Sequence, residues 1–135
     1  MKLLKNVALL LLMFLTVSFV LTGCGKTNTI EKYVITNEQY RSKEELKNAN
    51  QPEEVTAGKT IYASVYFIES PKGMEYAGKW YLDDKEIKSD TQEMPTNQQG
   101  IITFSLDGDQ VMAGTLKFQV VYEDDILCSK ELTVK

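Results

Sequence analysis

The sequence predicts an all-β fold, a two-layer antiparallel sandwich behind a targeting segment. Three observations predict it. From Ile61 onward, apolar and polar residues alternate in short runs; turn residues interrupt those runs; and the lone tryptophan, Trp80, falls in the middle of the pattern. Alternation puts apolar side chains on one face of a strand, and short strands broken about every eight to twelve residues stack as a sandwich or close as a barrel.

The chain opens on a basic start, Met1 to Lys5, with Lys2 and Lys5. Val7 to Val20 is nearly continuous apolar sequence, broken only by Thr16 and Ser18, and Leu21-Thr22-Gly23-Cys24 follows. A basic start, an apolar stretch and small residues before a cut describe a secretory signal. The apolar stretch is about 14 residues, short of the roughly 20 that cross a bilayer as a helix. Leu21-Thr22-Gly23-Cys24 resembles the lipobox of bacterial lipoproteins, which reads Leu, a small residue, Gly or Ala, then Cys. The resemblance implies cleavage after Gly23, a diacylglycerol on the Cys24 thiol, and a domain held at the extracytoplasmic face of the cell membrane. Two acyl chains anchor stably where one binds only marginally.

Residues 24–53 are the expected lipidated N-terminus, a polar tether from Gly25 to Thr29, and a first strand or ordered linker at Ile30 to Ile35. Residues 36–54 are strongly polar. Ser42 followed by Glu45 fits a capping box, so a short helix is expected over residues 42–49. Its only apolar stripe is Tyr40, Leu46 and Ala49.

The sandwich domain is expected at 54–135. Ala57-Gly58 reads as a turn. Ile61, Ala63, Val65 and Phe67 share one face of the next strand. Pro71-Lys72-Gly73 breaks it. Met74, Tyr76, Trp80 and Leu82 share parity in the following strand, with Gly78 between. Asp83-Asp84-Lys85 turns into a short return at Glu86-Ile87-Lys88, and Pro95 to Gly100 is expected as loop. Ile102, Phe104 and Leu106 alternate, as do Leu116, Phe118, Val120 and Tyr122. After Glu123-Asp124-Asp125, the last strand has Ile126, Cys128, Leu132 and Val134 in phase and Lys130 out of place.

Residues 55–135 resemble the immunoglobulin-like β-sandwich modules of bacterial surface lipoproteins. The matching features are Ala57-Gly58-Lys59-Thr60-Ile61-Tyr62 entering a strand, the Trp-bearing hairpin Lys79 to Ile87, the strand Ile102 to Leu106, and the strand Ala113 to Val120 leading into Tyr122-Glu123-Asp124-Asp125. The paired core cysteines of antibody domains are lacking. The resemblance implies a binding or spacer domain, with no catalytic residues to carry over.

Composition narrows the chemistry. The chain has no histidine, which removes the commonest general base and zinc ligand. Without residues 1–23, which hold two lysines and no acid, the net charge is −6. That balance matches nucleic acid poorly, serves solubility and is expected to keep the domain off anionic headgroups. With Cys24 lipidated, Cys128 has no disulfide partner, and its strand parity marks it as a buried structural thiol rather than a nucleophile. Acids cluster at three turns, Asp83-Asp84, Asp107 with Asp109, and Glu123 to Asp125, where Asx residues serve hairpin geometry. Tyr62, Tyr66 and Tyr81 are the candidate binding surface. Tyr62 and Tyr66 lie opposite Ile61 and Val65, so both faces of that strand carry apolar bulk, covered on its second side or flanked by residues 30–50. The expected function is a non-enzymatic, lipid-anchored binding or accessory module for a protein or envelope-polymer partner, without cofactor, metal or nucleic acid. A calcium- or small-ligand-binding surface lipoprotein is the alternative.

Overall fold

The computed structural model describes residues 28–135; Cys24 and the targeting segment lie outside them. Eight strands form in chain order: β1 (Thr29–Thr36), β2 (Glu54–Val55), β3 (Ile61–Ser70), β4 (Glu75–Leu82), β5 (Lys85–Glu93), β6 (Gln98–Leu106), β7 (Gly114–Tyr122) and β8 (Asp125–Val134). A helix α1 (Lys43–Asn48) lies between β1 and β2, and a 3-10 turn (Gly108–Gln110) precedes β7.

The strands make two sheets, one ordered β1-β3-β6 and the other β2-β8-β7-β4-β5. β3 and β6 pair in the first sheet, and β4, β7 and β8 pair in the second. This is the immunoglobulin arrangement, with the first strand split between the sheets as β1 and β2. β2 pairs with β8 in parallel; the remaining ladders are antiparallel.

Alternation decides which side chains enter the core. Ile61, Ala63, Val65 and Phe67 of β3 face Tyr76 and Trp80 of β4 and Phe118 and Val120 of β7, all buried. Trp80 is 0% exposed and meets the Phe118 ring at 4.5 Å. Phe118 in turn meets Phe104 of β6 at 5.6 Å, so an aromatic chain from β4 through β7 to β6 joins the two sheets. Gly78 lies opposite Phe104, and a Cβ there would enter the ring's van der Waals envelope. Phe67 stacks on Tyr76 at 4.1 Å. The Tyr76 hydroxyl donates to Asn28 Oδ1 at 2.9 Å and lies 2.6 Å from Ser70 Oγ, which fastens the first described residue into the core.

Three details differ from the sequence expectation. The folded unit starts at β1, not at residue 54, because β1 pairs with β3 along its length and buries Ile35 in the main core. β5 is nine residues long rather than a three-residue return. It is a polar edge strand, and its Lys88 and Gln92 side chains each donate to a β6 carbonyl at 2.7 Å, stitching the two sheet edges together. β6 begins at Gln98, inside the expected loop. Lys130 is exposed because β2 pairs only with Thr133 and Val134, leaving the rest of that β8 edge open. The other open edge, at β1, is closed near Ile35: the Gln51 amide accepts from Ile35 N–H and donates to Ile35 C=O, both at 2.8 Å.

Candidate functional site

The three-stranded sheet has an outer face that carries apolar bulk, and the segment between β1 and β2 folds over it. Ser42 Oγ accepts from Glu45 N–H at 3.2 Å, and the Glu45 carboxylate accepts from Arg41 N–H at 3.0 Å. The capping box thus forms as its residues predict, reaching back one residue further than the cap itself. The helix it starts buries Leu46 against Val34 and Tyr66, with Tyr40 and Ala49 beside them. The outer face of β3 is therefore covered by residues 30–50.

The cover is held by cations. Lys32, opposite Tyr66 in the β1–β3 register, donates to Lys47 C=O at 2.7 Å and Ala49 C=O at 2.8 Å. These are carbonyls at the C-terminal end of α1, where the helix leaves acceptors unpaired and favours positive charge. Lys43 Nζ lies 5.2 Å from the centre of the Tyr66 ring, and the Tyr66 hydroxyl donates to Gln99 Oε1 at 2.9 Å.

Two concavities flank this Lys43–Tyr66 contact. One of about 310 Å³ is lined by Glu31, Lys32, Leu46 and Lys47 in addition to the shared pair. The other, about 410 Å³, adds Arg41 and the β5–β6 connection at Pro95 and Thr96. Four cations, Lys32, Arg41, Lys43 and Lys47, thus converge on one face of an acidic protein. Among the described residues the one salt bridge joins Lys135 to Glu54 at 2.7 Å, remote from this face. The arrangement suits recognition of anionic groups: an aromatic floor, partly apolar walls and a concentration of positive charge.

The three tyrosines singled out from sequence do not form one surface. Tyr62 is half-buried on the outer face of the three-stranded sheet. Tyr66, 5% exposed, is the floor beneath Lys43. Tyr81 lies on the outer face of the five-stranded sheet, with Lys117 Nζ 4.8 Å from its ring centre. The acidic turns lie at opposite ends of the sandwich: the β4–β5 turn and the 3-10 turn at one, the β7–β8 turn at the other. Asp83 and Asp84 both have positive φ, and Asp83 Oδ1 accepts from Thr115 N–H at 2.9 Å. Among the described residues no three His, Cys, Asp or Glu side chains gather as ligands to a metal would.

Cys128 is free and half-buried, packed against the core rather than fully inside it. Burial pushes its thiol up from 9.0 to about 11, only partly opposed by a hydrogen bond with the Val120 backbone. It is therefore a neutral thiol at physiological pH, poorly suited to nucleophilic attack.

No family model matches the chain, and no curated protein matches it. Solved structures similar to it include a β-glucosidase from Listeria innocua in complex with gluconolactone, at 11% identity and a TM-score of 0.47 over 64% of this chain and 15% of that one. An alkylpurine DNA glycosylase from Pseudomonas fluorescens bound to DNA matches at 13% identity and a TM-score of 0.49, over 82% of this chain and 31% of that one. A CARDB domain from Pyrococcus furiosus in complex with di-metal ions matches at 11% identity and a TM-score of 0.40, over 82% of this chain and 97% of that one. The chain spans 15% of each of the Listeria β-glucosidase chains it resembles. At these identities and scores, none of the likenesses bears on what this chain binds or does.

Proposed function

We propose that this chain is a lipid-anchored, non-enzymatic binding or accessory module at the extracytoplasmic face of a bacterial cell membrane. Cys24 carries the lipid, and the sandwich engages a protein or envelope-polymer partner. The observation that carries the proposal is the spacing of anchor and fold. Only Gly25, Lys26 and Thr27 separate the lipobox cysteine from Asn28, whose side chain is already bonded into the core through Tyr76. A secretory signal ending in a lipobox, followed at once by a sandwich, is the economy of a surface-tethered module. The Tyr66 groove with its four cations is the surface best suited to a partner. The absence of histidine and the raised Cys128 thiol both favour binding over catalysis.

The test is Cys24→Ser in cells fed a labelled fatty acid. The expected outcome is loss of label, with the protein left uncleaved after Gly23 or released from the membrane fraction. Normal processing and unchanged membrane fractionation of Cys24→Ser would overturn the proposal.

A further inference from the structure

We infer that the outer face of the three-stranded sheet, at Lys32, Arg41, Lys43 and Lys47, is the side on which the domain lies against the anionic headgroups of its own membrane. The inference rests on the proposed lipidation of Cys24. A chain spans at most about 3.3–3.6 Å per residue, so the steps from Cys24 to Asn28 reach no more than about 14 Å. Asn28 adds no slack. Its N–H donates to Glu69 C=O at 3.1 Å, and its side chain is held by Tyr76. The N-terminal end of the sandwich is thus kept within about two Debye lengths of the headgroups at physiological salt, each about 8 Å.

That end is acidic. The strand ends and connections that share it with the N-terminus carry Glu69, Glu75, Glu93, Glu123, Asp124 and Asp125, all exposed, against Lys72, with Lys26 in the tether besides. An upright domain would press six carboxylates toward an anionic surface. Tilting it onto α1 turns them aside and brings four cations down instead. Glu31 shares that groove, and Glu44 and Glu45 stand on the helix, with Glu45 bonded at its start. With Glu38 in the segment leading to the helix, the whole cover balances its charges, but the groove lining itself, with four cations to one carboxylate, is net positive, while the end is strongly negative. The cationic face is also continuous with the tethered end, because its second concavity is closed by Pro95 and Thr96. The domain's overall negative charge thus opposes contact, but its distribution selects one way of lying down.

The test separates orientation from lipidation. The chain from Cys24 onward, carrying Cys128→Ser, is coupled through the Cys24 thiol to a maleimide phospholipid, so anchoring does not depend on cellular processing. Lysine acetylation is then mapped by mass spectrometry on phosphatidylcholine vesicles with and without phosphatidylglycerol. The expected result is a several-fold slower modification of Lys43 and Lys47 on the anionic vesicles, reversed by high salt, with Lys79 and Lys117 on the opposite sheet unchanged. In Arg41→Glu/Lys43→Glu, whose fold is checked by its melting curve, Lys47 loses that protection. Equal protection on both sheets, protection of Lys72 instead, or no difference between vesicles overturns the proposal. So does protection of the unanchored domain by glycerol phosphate alone, which would mark a small-anion site. A failure of the lipidation reading is seen separately, as absent fatty-acid labelling of Cys24 in cells.

Discussion

Replacing Trp80 tests how the sandwich is held together, because two opposing effects meet at that residue. The side chain is 0% exposed and packs on Phe118 at 4.5 Å. Trp80→Ala removes those contacts and leaves a cavity, a change that costs about 3–5 kcal/mol. Against a total of about 5–15 kcal/mol for a domain, that is a large share of its stability. At about 4 °C per kcal/mol for a domain of this size, the melting temperature falls by roughly 12–20 °C. The indole N–H, however, is buried and has no hydrogen-bond partner among the described residues. An unsatisfied buried donor costs about 1–3 kcal/mol. Trp80→Phe discards that donor while keeping a ring against Phe118. Its lost volume costs about 1–2 kcal/mol, so relief and loss nearly cancel and the net change stays within about 1 kcal/mol of zero. Urea and thermal unfolding followed by far-UV circular dichroism measure both variants; fluorescence does not serve, since Trp80 is the chain's one tryptophan. Trp80→Phe as costly as Trp80→Ala would refute the orphan-donor reasoning and place a bonded water at the indole. Trp80→Ala costing under about 1 kcal/mol would refute its central place in the core.

Gly78→Ala should destabilise by about 1–3 kcal/mol, since the new Cβ meets the Phe104 ring, and Phe104→Leu in the same chain should recover part of that loss; simple additivity of the two in urea melts would count against the contact. Cys128 should be alkylated slowly by iodoacetamide at neutral pH, with the rate climbing toward pH 11. Because folding raises this thiol from 9.0 to about 11, its contribution to stability is complete below pH 9 and is lost as pH rises through 11, a loss that Cys128→Ala should abolish. Tyr76→Phe strips Asn28 and Ser70 of their partner and should cost about 1–3 kcal/mol; hydrogen exchange should quicken at Asn28 and Thr29 first, and uniform quickening across β3 would show that the hydroxyl does not act locally.

The strands that the sequence made legible are those whose core-facing positions are aliphatic or aromatic and whose other positions are polar or amphipathic. Ile61 to Phe67 and Leu116 to Val120 alternate because their odd or even positions meet the core and the others meet solvent or a thin cover. β5 was not legible for the opposite reason. Lys85 to Glu93 buries neither face, and backbone pairing with β4 and the Lys88 and Gln92 bridges hold it, neither of which leaves a hydropathy period. β1 was ambiguous because its apolar residues serve two layers, Ile35 inward and Val34 outward beneath α1. The capping box at Ser42 and Glu45 was readable, since it is local. The cationic groove was not: Lys32 meets Tyr66 only through strand register, and Lys43 meets it only because Leu46 docks the helix. The tyrosines drew attention by type, but residue type does not say which sheet a side chain decorates, and Tyr81 lies on the other one.

The placement of the first and last strands has a mechanical meaning. Thr29 pairs with Ile68 at one end of the sandwich, while Val134 pairs with Gly114 at the other, where Lys135 C=O accepts from Ala57 N–H at 2.8 Å. Tension between the N-terminus and a load on the far end therefore runs along the strands. β1 cannot be unzipped from β3 one bond at a time under such a pull. Its ladder must slide as a whole, with seven residue pairs sharing the force. The Gln51 amide on Ile35 and the Tyr76 hydroxyl on Asn28 add cross-links near the two ends of that strand. A load applied at the β7–β8 turn, on the same end as Asn28, would pull across the strands rather than along them and would not engage that ladder in shear. The same fold is thus a stiff strut in one direction and a peelable one in the other.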